Sequence, residues 1–180
     1  MMESSADTRS DLLRAATRLI LREGAARLTL AAVAAEAGVS KGGLLYHFPT
    51  KDALIEGLIE HYAHTFAAQV TALAAGESGP QPLLRAYVRA TFAEEGASRE
   101  LGAAVLGAAL LNPGLLPRFR EQLQGAVARL EAGAADPARA TAVRLAADGL
   151  WFTELLGLTD LAPSARGALE RCLLELLEAR

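Results

Sequence analysis

The chain has 180 residues, of which 52% are hydrophobic, and its 18 Lys and Arg against 21 Asp and Glu give a net charge of −3 at pH 7. This composition excludes a largely disordered chain and a protein that is basic throughout. The single cysteine, Cys172, excludes a disulfide framework and a cysteine-based metal site. No apolar run approaches the roughly 20 residues of a membrane-spanning helix, so we expect no membrane association.

The abundance of Ala, Leu, Arg and Glu, with few β-branched residues, predicts an all-α fold. Charge is uneven along the chain, because residues 1–51 carry seven basic and five acidic side chains and the remainder carries eleven and sixteen. A slightly basic head on an acidic body suits a nucleic-acid-binding module joined to a different one. The polar first ten residues lack the apolar segment of a signal peptide, so we expect a cytoplasmic protein.

The first predicted helix runs from about Asp7 to Gly24, a residue type that commonly ends helices. Arginines recur every four residues on one of its faces, and they lie either near phosphates or in ion pairs with acids of the same helix. Thr29 precedes the second helix, residues 30–37, where its hydroxyl can accept hydrogen bonds from the first backbone N–H groups. The arginines of the first helix are Arg14, Arg18 and Arg22, and the acids are Asp11 and Glu23.

A glycine-containing turn at Gly38 leads to Ser40, which can cap a short third helix. Helix, short turn and helix is the arrangement of the helix-turn-helix motif. Gly42 and Gly43 lower the stability of the third helix by roughly 1 kcal/mol each, but they present a bare backbone that can approach DNA closely. Three apolar side chains anchor this helix from behind: Leu44, Leu45 and Phe48.

The stretch AAVAAEAGVSKGGLLYHFPTK, residues 31–51, preceded by Thr29, resembles the DNA-binding segment of the TetR family of bacterial repressors. The resemblance implies a helix-turn-helix head in residues 1–50 that binds a palindromic operator in double-stranded DNA. It also implies a helical body in residues 51–180 that binds a small effector and forms a homodimer through its last two helices. We therefore predict an all-α transcriptional repressor of about nine helices, without enzymatic activity or cofactor.

By position, the resemblance implies two kinds of DNA contact. Phosphate contacts are implied for Thr29, Tyr46, His47 and Lys51, and contacts in the groove for Ser40, Lys41, Gly42 and Gly43. Each has a structural alternative, because Thr29 can serve only as a helix cap and the two aromatic residues can pack beneath the turn. Lys51 is poorly placed for the helix dipole at the start of the next helix, which favours a phosphate partner.

The fourth predicted helix runs from Lys51 to about Ala75, long enough to bridge head and body. His61 and His64 have a spacing compatible with metal binding, but no third ligand is evident and we predict no metal site. A linker at residues 76–82 precedes the body. Its helices are predicted at residues 82–95, 99–111 with Ser98 as cap, 115–132 with Leu123 inward, 138–158, and after Pro163 to Leu177.

A pocket in the body is predicted to be lined by Tyr62, Phe66, Tyr87, Phe92, Leu106, Phe119, Trp151, Glu154 and Leu155. For each of them, core packing is the alternative. Glu154, close to Trp151, either attracts a cationic lipophilic effector or lies exposed at the rim.

Two other functions are compatible with parts of the sequence. An enzyme would require chemistry from His61, His64 or Glu154, for which no orienting partner is evident. A protein-interaction module would use the apolar helices without binding DNA.

Overall fold

The computed structural model describes residues 5–178, and among these it contains nine α-helices, two short 3-10 turns and no β-strand. The predicted all-α class is therefore confirmed. The side chains of Ser5, Ala6, Leu116, Arg118, Phe119 and Gln122 lie outside this description. The helices are α1 (Ser5–Glu23), α2 (Leu30–Ala37), α3 (Lys41–His47), α4 (Lys51–Ala74), α5 (Pro82–Ala93), α6 (Gly96–Leu111), α7 (Leu116–Glu131), α8 (Pro137–Leu155) and α9 (Pro163–Leu176).

Three details of the sequence prediction are wrong. Leu45, predicted to anchor α3 from behind, is 37% exposed, and only Leu44 and Phe48 of the three predicted anchors are buried. Helix α6 begins at Gly96, so Ser98 lies inside its first turn instead of capping it. Gly96 adopts a φ of 54°, a conformation that glycine accepts readily, and this allows the chain to enter the helix earlier. Leu123 is 49% exposed and does not face the core, because Ala126, Val127 and Leu130 are the apolar residues that the described part of α7 turns inward.

The described chain divides into two compact units that do not follow simple chain order. Residues up to 64 pack with residues 96–119, and residues 65–95 pack with residues 120–178. The predicted functional boundary between residues 50 and 51 remains a prediction, because packing alone does not say which residues bind DNA. Among the helices of residues 5–178, none is at once long enough and apolar enough to cross a bilayer.

The core of the first unit is built by α1, α2, α3, the start of α4, and α6. Leu12, Leu44 and Leu54 are fully buried in it, and Val105 of α6 joins the same cluster. A helix of only seven residues such as α3 is not stable alone in water, so this packing holds it in place. The core of the unit therefore positions the candidate DNA-binding helix.

The second unit packs α5 against α8 and α9. Its apolar core includes Val88, Val143 and Leu173. The buried guanidinium of Arg85 binds Glu77 of the preceding linker, with Nε 3.0 Å from Oε2. This buried ion pair fixes the linker to the start of α5.

Candidate nucleic-acid interface and effector-binding residues

The turn between α2 and α3 has the capping hydrogen bonds that its sequence predicts. The Oγ1 atom of Thr29 accepts a hydrogen bond from Ala32 N at 3.2 Å, and Oγ of Ser40 accepts one from Gly43 N at 3.1 Å. Gly38 has a φ of 69°, in the left-handed region that favours glycine, and ends α2. These local interactions orient α3 relative to α2 in a helix-turn-helix arrangement.

One face of α3 is open to solvent. Lys41, Gly42 and Tyr46 are exposed, and Tyr46 retains 80% of its accessible surface. Among the described residues, the atom nearest to a Cβ built at Gly42, apart from the helix's own backbone, is Ser40 Oγ at 3.9 Å. On the opposite side, Leu44 is completely buried. The helix thus exposes the bare backbone at Gly42 beside the positive charge of Lys41, while its apolar side is anchored in the core.

The remaining predicted contact residues of this region lie around the same helix. Thr29 and Ser40 are exposed, whereas Gly43 and His47 are half-buried. The rings of Tyr46 and His47 meet edge to face, with centroids 5.1 Å apart. This contact leaves the phenol hydroxyl at the surface, where it can donate a hydrogen bond to a phosphate.

Lys51 has a partner inside the protein. Its Nζ atom donates a hydrogen bond to the carbonyl oxygen of Ala25 at 3.3 Å, in the 3-10 turn before α2. This bond ties the first residue of α4 to the turn that precedes Thr29. An ammonium group has three donors, so the bond to Ala25 leaves capacity for a phosphate.

The arginines of α1 are engaged in ion pairs within the protein. Arg18 Nε lies 2.9 Å from Glu36 Oε1 of α2, and Arg22 Nη2 lies 3.0 Å from Oε2 of the same carboxylate. Hydrogen bonds from Arg18 and then Arg22 lower the pKa of Glu36 below its ordinary value. Arg14 and Arg22 also pair with Asp11 and Glu23, respectively. Of the two alternatives for the arginines of α1, the structure therefore shows the ion pairs.

Aromatic and acidic side chains meet in the second unit. Phe66 and Tyr87 pack edge to face with ring centroids 5.5 Å apart, and the Tyr87 hydroxyl donates a hydrogen bond to Asp148. Burial, with the nearby Asp148 charge, raises the pKa of Tyr87, so the hydroxyl stays protonated and acts as a donor. Arg144 binds the other oxygen of Asp148 at 2.7 Å and Glu131 at 2.6 Å.

A second acidic group was not predicted from the sequence. Glu94 follows the last residue of α5, is only 3% exposed, and accepts a hydrogen bond from the indole nitrogen of Trp151. Its signal in the sequence is weak, because an acid just after an apolar helix normally lies in solvent. The structure therefore places two carboxylates, Glu94 and Asp148, beside predicted aromatic lining residues.

Glu154 and Phe92 are both held by Arg166 of α9. Arg166 Nε lies 2.9 Å from Glu154 Oε1, and the guanidinium carbon is 5.1 Å from the centre of the Phe92 ring. The side chain of Glu154 is only 9% exposed, so it is not a residue of an exposed rim. Its charge is balanced by Arg166, as that of Asp148 is balanced by Arg144.

The other predicted lining residues are distributed between the two units. Tyr62 packs against the core of the first unit, and Leu106 is half-buried in α6 of that unit. Leu155 is half-buried in the second unit, and the side chain of Phe119 lies outside the described residues. Within the described part of the chain, no three His, Cys, Asp or Glu side chains form a group that could hold a metal ion.

Two family models match the chain. Residues 12–58, which contain the α2–α3 turn, match the model of bacterial regulatory proteins of the tetR family. Residues 81–178 match the model of the tetracyclin repressor-like C-terminal domain. Together they cover both the candidate DNA interface and most of the second unit.

Curated relatives match only part of the chain. The HTH-type transcriptional regulator TtgR of Pseudomonas putida is 35% identical over 71 residues, which is 38% of this chain and 34% of that protein. The matched stretch thus spans about a third of the length of this relative.

Solved structures resemble nearly the whole chain. The multidrug binding protein EbrR in complex with malachite green is 31% identical, with a TM-score of 0.70 over 93% of this chain and 96% of that one. In its complex with ethidium the identity is 30% and the TM-score 0.67, over 94% and 98%. A TetR-family member from Streptomyces coelicolor A3 is 29% identical, with a TM-score of 0.72 over 94% and 97%.

Proposed function

Because this chain belongs to the TetR family of transcriptional regulators, we propose that it is a cytoplasmic repressor that binds a palindromic operator as a homodimer. A small, lipophilic effector in the body releases it from DNA. The observation that carries this proposal is the exposed, glycine-bearing face of α3, anchored from behind by Leu44. Such a face suits the major groove, which admits an α-helix and displays the base edges.

In the proposed complex, Lys41, Gly42 and Gly43 lie at the base edges. Ser40 lies beside them, at the start of the helix. Thr29, Tyr46, His47 and Lys51 contact phosphates on either side of the groove. Two heads related by a two-fold axis place their α3 helices in successive major grooves, about one helical turn apart. Phosphate contacts make such binding strongly dependent on salt concentration.

Replacing Lys51 with alanine tests both the proposal and the role of this residue. We expect weaker binding to every duplex, and a salt dependence whose slope falls by about 2 for a dimer, since each lost phosphate contact contributes about 0.9. Fluorescence anisotropy of a labelled duplex, measured from low to moderate salt, gives both quantities. Duplexes selected from a random pool by the wild-type protein serve as ligands.

The thermal unfolding of this variant is measured as well, because Lys51 also bonds the Ala25 carbonyl. An unchanged salt slope would show that Lys51 has only this structural role. Failure of the wild-type protein to bind any duplex would instead support the alternative of a protein-interaction module.

Dimer formation is supported by the exposed apolar face of α8. This face carries no charged side chain and is formed by Ala142, Leu145, Ala146, Gly149, Phe152 and Leu156. Gly149 lies inside the helix, and among the described residues no atom outside the helix's own backbone lies within 4 Å of a Cβ built on it. The packing of one subunit therefore does not require glycine at this position, but the missing side chain would let a second copy of α8 approach closely. Exposed Cys172 and Leu176 extend a similar face on α9.

The acidic and aromatic groups of the second unit favour an effector with a positive charge. Glu94 is buried beside Trp151, so a cation packed on this ring meets a carboxylate. The similar protein EbrR has been solved with ethidium and malachite green, which are aromatic cations. The effector acts by binding one conformation of the body more tightly than the other, and this difference in affinity limits the response.

Malachite green is therefore the first probe to be used, with Glu94→Gln as the variant. We expect the dye to raise the melting temperature of the wild-type protein, and the variant to bind it roughly tenfold more weakly, as expected for loss of about 1.4 kcal/mol of charge attraction. Glutamine keeps an acceptor for the Trp151 N–H. A neutral aromatic compound of similar size is the control, and equal weakening of its binding would contradict selection by charge.

A further inference from the structure

Gly57 lies in the second turn of α4, where glycine lowers helix stability by about 1 kcal/mol relative to alanine. A Cβ atom at this position would lie 2.6 Å from Cε1 and 3.2 Å from Cζ of Phe48, and 3.4 Å from Cδ2 of Leu13. The first of these distances is far inside van der Waals contact. The Phe48 ring therefore lies directly on the backbone of α4, in space that only glycine leaves free.

The ring is also held on another side. The guanidinium carbon of Arg9 lies 5.3 Å from the centre of the Phe48 ring, and Arg9 pairs with Glu60 of α4 at 3.6 Å. Phe48 is 3% exposed. A side chain added at Gly57 cannot be accommodated by turning the ring toward solvent without disturbing its contacts with α1 and α4.

Phe48 is also the residue at which α3 ends. Its backbone N–H donates a hydrogen bond to the carbonyl of Leu44 at 2.8 Å, which closes the last turn of the helix. Helix α4 begins three residues later, at Lys51. The contact between the Phe48 ring and Gly57 thus fixes the direction of α3 relative to α4.

We propose that Gly57 is a positioning residue for α3, because its missing side chain lets Phe48 lock α3 and α4 into one rigid body. A displacement of α4 then moves α3 by the same rotation, and no compensating bend occurs at Pro49 and Thr50. This inference rests on the proposed function, in which α3 reads DNA. The inference adds to the proposed function the contact through which a movement of α4 changes the orientation of the DNA-binding face of α3.

The test is Gly57→Ala, which adds one methyl group at this contact. We expect about tenfold weaker binding to a duplex that the wild-type protein selects from a random pool, since misplacing α3 costs base contacts worth about 1–3 kcal/mol each. Binding to an unrelated duplex of equal length at the same salt should change by less than about twofold, because phosphate attraction does not require that alignment. A purely destabilising role would not change the ratio of these two affinities.

Gly125→Ala is the matched control, because Gly125 lies inside α7 and the nearest described side chain to a Cβ atom there is the flexible end of Arg129, at 4.0 Å. It should leave both affinities unchanged. Phe48→Leu in the Gly57→Ala background removes the ring atoms that clash, so the double variant should bind the selected duplex more tightly than Gly57→Ala alone. If Gly57→Ala does not fold, recovery of folding in the double variant supports the proposal and its absence overturns it.

The remaining outcomes separate the two proposals. If the wild-type protein selects no duplex, the proposed function falls, and the inference with it. If it selects one and Gly57→Ala keeps the same preference for that duplex, the inference alone is overturned.

Discussion

Replacing Gly42 with leucine is expected to weaken the affinity for the operator at least ~100-fold while leaving the protein folded. The reason is that each of the two subunits loses contacts worth about 1–3 kcal/mol. A Cβ atom fits at Gly42, since the nearest described atom outside the backbone of its own helix is Ser40 Oγ at 3.9 Å, and the position is exposed. Gly42 is also not among the glycines with positive φ. Leucine should even favour the helix, because glycine is the weaker helix former.

The measurements are the affinity for the selected duplex, by fluorescence anisotropy, and the melting temperature, by circular dichroism. Gly125→Leu is the control, because Gly125 is an exposed glycine inside a helix of the other unit. It should melt near the wild type and bind DNA normally. Retained operator affinity in the Gly42 variant would mean that this face of α3 does not approach DNA.

Leu145→Glu is expected to convert the dimer into folded monomers. Leu145 is 55% exposed in the isolated chain, so the substitution should lower the free energy of unfolding of one subunit only slightly. In the proposed dimer the two-fold axis buries two such carboxylates in an apolar face, at several kcal/mol each without partners. We therefore expect the dimer dissociation constant to rise by at least ~100-fold, since each 1.4 kcal/mol corresponds to a factor of ten.

Analytical ultracentrifugation over a range of concentrations measures this change, and the same samples are tested for operator binding, which should be lost with the dimer. Leu123→Glu is a close control, because Leu123 is 49% exposed on α7, outside the proposed interface. It should remain dimeric and bind DNA. A Leu145→Glu protein that sediments as a dimer would place the interface elsewhere.

The helix-turn-helix was predictable because its determinants are local. Thr29 and Ser40 cap helices through hydrogen bonds to residues three positions ahead, and Gly38 adopts the left-handed conformation at the turn. Such interactions depend on the identity of a few neighbouring residues, which the sequence displays directly. The ends of most helices could be predicted for the same reason.

The arrangement of the body could not be predicted in the same way. Glu94 meets Trp151, 57 positions further along the chain, and Arg166 of α9 reaches both Glu154 of α8 and the ring of Phe92. Such pairs depend on how helices pack in three dimensions. Several combinations of one acid with one arginine fit the sequence equally well, so the charge balance of Glu154 was not evident before the structure.

The contribution of α6 to the core of the first unit has a practical consequence for making chimaeras. Leu101 and Val105 pack in one cluster with Leu12 and Leu44, although a long stretch of chain assigned to the other unit separates them in sequence. A head excised before α6 would leave that cluster partly uncovered and liable to aggregate. Grafting the DNA specificity of this regulator onto a relative therefore calls for transferring residues 96–119 together with the N-terminal segment.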